Sequence, residues 1–193
     1  HRNTVTFTIS QAEYPPTLHP PSCPLLPMRP PTLLALAAAL LATGPARADW
    51  LQFRGPNGNG FIEGNEKTPT ELSDKTIAWK VSLPGRGLGS PIIVGDKVIV
   101  TAATGPDQNQ LQVLCFSNAD GREIWRRSFW ATGRTMCHNK TCVAAPTPAS
   151  DGQRIYALWS SNDLICLDLE GNLVWMRGLT LDYPNASNSL GMA

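Results

Sequence analysis

Polar and apolar positions alternate in short runs along the last hundred residues. From Ser90 the chain reads SPIIVGDKVIVTAATGPDQNQLQVLCFSNADGREIWRRSF, and from Ala145 it reads APTPASDGQRIYALWSSNDLICLDLEGNLVWMRGL. Each stretch passes from a small residue and proline through a turn with Asp and Gly to an apolar run. A polar turn, a run with a central cysteine and a last run opening on Gly-x-x-x-Trp follow. Runs this short, bounded by turn residues, predict strands rather than helices. In the second stretch the expected strands are 145–149, 154–159, 164–168 and 173–179, with turns at Ser150–Gly152, Ser160–Asp163 and Glu170–Asn172. Glycine suits such turns because it accepts a positive φ without a Cβ clash. Residues 49–193 show no convincing amphipathic helix.

The two stretches are copies of one unit. Pro91 corresponds to Pro146, Cys115 to Cys166, Gly121 to Gly171 and Trp125 to Trp175, at separations of 50 to 55 residues. A partial copy, IAWKVSL around Trp79, precedes them. A four-stranded unit repeating at about 40–50 residues marks a β-propeller blade. The expected fold is therefore all-β: about two four-stranded blades, with the Trp79 strand completing another blade to close a ring. Trp79, Trp125 and Trp175 each fall on an outermost strand, where a large ring packs against the next blade; for Trp125 and Trp175 this follows the glycine turns at Gly121 and Gly171. Burying one such ring contributes on the order of 3 kcal/mol.

The N-terminal part reads differently. Residues 1–27 are proline-dense without apolar periodicity and are expected to be a disordered or untranslated extension. Residues 28–48 follow the pattern of a secretory signal: Met28 and Arg29, the apolar TLLALAAALLATGP, then Ala46-Arg47-Ala48 with cleavage expected after Ala48. The apolar run is too short for a permanent membrane span. Residues 49–193 are then expected to be exported, to a periplasmic or extracellular space.

Charge narrows the partners. The whole chain has 16 Lys and Arg against 15 Asp and Glu; without Arg2, Arg29, Arg47 and Glu13 these become 13 and 14. That balance carries no footprint of nucleic acid or of an anionic membrane surface.

The stretches AWKVSLPGRGLGSPIIVGDKVIV, NADGREIWRR and DLEGNLVW resemble the quinoprotein-type repeats of pyrroloquinoline-quinone (PQQ)-like β-propellers. DWLQFRGPNGNG, from Asp49, is similar to the mature N-terminus of exported propellers of this group. The resemblance implies about seven or eight blades in a chain of about 400 residues, of which 49–193 would be the N-terminal part. It implies two kinds of activity. One is a binding or scaffold module, similar to the propeller subunit of the bacterial outer-membrane assembly machinery, which presents loops to proteins or to a small ligand at the funnel. The other is a dehydrogenase using PQQ and calcium. Such dehydrogenases show adjacent cysteines and a Glu, Asn and Asp set around calcium. This chain has no Cys-Cys pair, and the calcium set cannot be traced onto it. The scaffold is the leading expectation, with no catalytic residue assigned.

Several shorter motifs carry chemistry of their own. GPNGNG (55–60) lacks the lysine and following helix of a phosphate loop. In that segment Trp50 and Phe53 are expected to anchor by packing. Arg54 is expected to donate to carbonyls or a carboxylate of an adjacent blade. MCHNKTC (136–142) leaves three readings open for Cys137 and Cys142: a local disulfide, free thiols, or, with His138, a metal or catalytic role. Cys115 and Cys166 read as small buried hydrophobes. Asp151, Asp163 and Asp168 read as turn formers. Cut from its ring, 49–193 is expected to aggregate through exposed sheet edges and faces.

Overall fold

The computed structural model describes residues 49–62, 71, 73–74 and 76–184. The expected extension and signal segment lie outside them. Eight strands form two four-stranded antiparallel meanders. The first sheet holds β1 (Ile92–Val94), β2 (Lys97–Thr104), β3 (Gln110–Ser117) and β4 (Glu123–Trp130). The second holds β5 (Ala149–Ser150), β6 (Arg154–Leu158), β7 (Asp163–Asp168) and β8 (Leu173–Gly178). One helical turn, α1 (Leu179–Asp182), follows β8.

The ladders repeat in detail. Ile99 faces Cys115, which faces Trp125; in the second sheet Tyr156 faces Cys166, which faces Trp175. Both sheets slip register at the same place, beyond Cys115 and beyond Cys166. One hydrophobic cluster lies between the sheets: Ile92, Ile99, Val113 and Cys115 from the first meet Ile155, Ala157, Ile165 and Leu167 from the second. A smaller cluster on the other face of the first sheet joins Val98, Ala102, Leu114 and Phe116, with Trp79 packed against it.

Two expected strands differ. The first strand of the second unit is only Ala149–Ser150, because the residues before it serve the chain that precedes β1: Leu88 and Gly89 donate to the Ala144 carbonyl, and Ser90 to Thr147 Oγ1. The Trp79 segment, 77–83, joins neither sheet. It lies along the outer face of the first sheet, held through its tryptophan.

Candidate functional site

Three features stand out: the tryptophan contacts, an apolar concavity by the lead-in segment, and a polar pocket among loops. The tryptophan contacts follow one rule. The Trp125 ring lies over Gly171, and its Nε1 donates to the Leu169 carbonyl at 3.0 Å. The Trp79 ring lies over Gly121, and its Nε1 donates to the Asn118 carbonyl, also at 3.0 Å. Both glycines have positive φ, +80° at Gly171 and +72° at Gly121, and a Cβ there would stand 2.7 and 2.6 Å from the ring, respectively. Glycine thus supplies both the turn and the flat seat. Arg127 reinforces the Trp125 contact: its Nε donates to the Gly171 carbonyl at 2.6 Å, and its guanidinium lies 5.7 Å from the Trp125 ring centre. Trp175 sits on no such seat among the described residues. It is 37 % exposed against 8 % for Trp125, with Tyr156 as its aromatic neighbour, ring centres 6.3 Å apart.

The lead-in segment ties the first strands of both sheets together. Trp50 and Ile93 exchange backbone hydrogen bonds of 2.9 Å, and Ser150 donates to the Leu51 carbonyl at 2.8 Å. Asp49 Oδ1 accepts from the Gly95 N–H. The Trp50 ring folds back over Gly55. Phe53 does not pack; it stands 61 % exposed. Arg54 donates to the Asn59 carbonyl in its own loop rather than to a neighbouring blade, because a positive φ of 62° turns it back on the segment. The segment walls an apolar concavity of about 410 Å³, lined by Trp50, Pro56, Phe61, Ile62 and Ile93. A second apolar hollow continues from Trp50, Ile62 and Ile93 towards Trp79.

The polar pocket, about 540 Å³, lies between residues 106–109 and 134–137. Cys137 lines it. Cys137 and Cys142 are not bonded to each other in this structure. Cys142 is buried in the cluster between the sheets, and the Cys137 sulfur is taken up by Gln108 Nε2 at 3.6 Å. His138 is exposed, and its Nδ1 accepts the Lys140 N–H.

Sequence reading missed one polar junction. Asp163 is fully buried and accepts from Thr132 N, Thr132 Oγ1 and Ser161 Oγ, the hydroxyls both at 2.6 Å. It fastens the end of the first sheet to the start of β7. Its position in a Ser-Ser-Asn-Asp turn signals a local role, and only the fold brings Thr132 to it. Trp159 was missed likewise; it is fully buried and donates to the Ala102 carbonyl across the two sheets. Asp168 and Asp151 do sit in turns. Asn172 and the Glu170 N–H hold the Asp168 carboxylate below its ordinary range, and the N–H groups of Gln153 and Arg154 with Tyr156 do so for Asp151.

The family model described as outer membrane protein assembly factor BamB (PQQ_2) matches residues 55–190. The chain belongs to this family. One solved structure similar to it is BamB from Moraxella catarrhalis, at 22 % identity and a TM-score of 0.36, covering 52 % of this chain and 26 % of that one. No curated protein matches. The family is of PQQ-like propellers, and the two antiparallel meanders are its blades. Among the described residues no three His, Cys, Asp or Glu side chains converge on a cation position. The buried oxygens of Thr101 and Gln112, which lack a protein partner, are neutral and point to opposite faces of one sheet. No helix among the described residues is long and apolar enough to cross a membrane.

Proposed function

We propose that this chain contributes to an exported protein-binding scaffold, and that the concavity beside Trp50 anchors an apolar side chain of its protein partner. The carrying observation is the pairing of that concavity with an exposed aromatic rim. Phe61 is 74 % exposed, with Phe53 and Ile62 beside it on the same short segment. Large apolar side chains left in water around a pocket are what protein interfaces bury at their centre. The family's description as an outer membrane protein assembly factor supports a role among proteins, and the pattern of residues 28–48 supports export.

A photo-crosslinking residue placed at Phe61 in the exporting cell tests this. A discrete protein adduct is expected, weakened by Ile62→Asp and absent when the probe stands at exposed Ser128. Equal labelling from both positions would overturn the reading. So would dye reduction by the purified protein that depends on added PQQ and calcium.

A further inference from the structure

Met136 and Cys137, at the start of the segment 136–142, line the polar pocket, and the scaffold reading uses neither of the segment's two cysteines. We propose that Cys137 and Cys142 are a redox-closed clasp, joining as an intraloop disulfide that fixes one wall of the polar pocket.

Three observations carry this. First, Thr141 N donates to the His138 carbonyl at 2.9 Å, closing a four-residue turn whose immediate flanks are Cys137 and Cys142. A disulfide between these flanks needs their Cα atoms about 4.4–6.8 Å apart. Second, both side chains belong to one packing group: Cys142 is a member of the cluster between the sheets, and Cys137 packs against it. Third, the Gln108 side chain holds both flanks at once. Its Nε2 donates to Cys137 Sγ, and its Oε1 accepts from Val143 N at 3.1 Å. The two arms of the turn are therefore already tethered to one amide. The other two described thiols are in the middle of strands, and burial pushes that of Cys115 up to about 11, which withholds it from exchange.

The chemistry balances with a small disulfide as oxidant. The Cys137 thiolate, the more exposed, attacks one sulfur of the donor and releases the first donor thiol. The Cys142 thiolate then attacks Cys137 Sγ and releases the second. The loop loses two protons and two electrons and gains one S–S bond; the donor disulfide is reduced to two thiols. Closure takes Cys137 Sγ from Gln108 Nε2 and fixes residues 134–137 on the pocket wall. The export reading decides only which state prevails in the cell.

The test uses the whole purified protein, reduced and then equilibrated with oxidised glutathione, alkylated and digested with trypsin. Cleavage after Arg134, Lys140 and Arg154 separates the two cysteines, so peptides 135–140 and 141–154 stay joined only through the disulfide. The joined pair is expected from the wild type, with a raised Tm for the oxidised protein. Cys137→Ser should give neither the pair nor the Tm shift. Separate alkylated peptides, or a lasting glutathione adduct on Cys137, would overturn the clasp. Either result stands apart from partner binding, since no partner is present.

Discussion

At Gly171 the cost of adding one methyl group has two parts that a comparison separates. A non-glycine residue at positive φ costs about 1–2 kcal/mol. Forcing a Cβ to 2.7 Å from the Trp125 ring adds overpacking, about 1–3 kcal/mol more. Gly152 has a φ of +87° and nothing within 4 Å of its missing Cβ. Gly171→Ala should therefore destabilise more than Gly152→Ala, by the overpacking part alone. Urea-unfolding midpoints of the two variants measure that difference; equal losses would mean the ring does not rest on the glycine. Acid titrates the same turns. Asn172 lowers the pKa of Asp168 below 3.8, backbone N–H groups lower that of Asp151, and Ser117 with Arg122 lowers that of Asp120. A depressed folded pKa gives stability that is complete above about 3.8 and is lost as pH falls through the lower folded values. Unfolding midpoints should fall as pH drops below 3.8, and Asp168→Asn should make that fall shallower.

At the scale of elements, the tryptophans of β4 and β8 occupy the same ladder position with opposite surroundings. Trp125 is covered by the second sheet and gives its indole N–H to Leu169. Trp175 has neither. Trp125→Ala should cost about 3–5 kcal/mol, the range for a large aromatic removed from a core, and Trp175→Ala much less. Calorimetry of the two variants decides; equal losses would refute the one-sided docking. Much of this level was legible in the sequence. The Gly-x-x-x-Trp spacing and the alternating runs placed β2–β4 and β6–β8, because a half-buried strand writes its period into its own residues. The 77–83 segment was not legible in the same way. It has a strand's composition, but a strand exists only where a neighbour offers its hydrogen-bonding edge, and here its tryptophan alone is held.

For the whole molecule, sequence reading was weakest where residues distant in the chain meet. Asp163 with Thr132, Leu51 with Ser150, and Gln108 with both arms of the 137–142 turn are all such meetings. No local pattern encodes them. The edge strand β8, with Leu173, Val174 and Trp175 exposed, bears on the behaviour of residues 49–193 as an isolated unit. Sedimentation should show concentration-dependent self-association, and Val174→Lys should shift it towards monomer. A monomer at every concentration, unaltered by the lysine, would mean this edge is not adhesive.

The indole contacts also have a direction in time. Trp79 and Trp125 each reach an acceptor carbonyl downstream, 39 and 44 residues later. A chain that emerges N-terminus first presents the tryptophan before its seat has been delivered. Each contact can close only once the following repeat supplies its turn, so a chain interrupted after one repeat keeps its last indole without an acceptor.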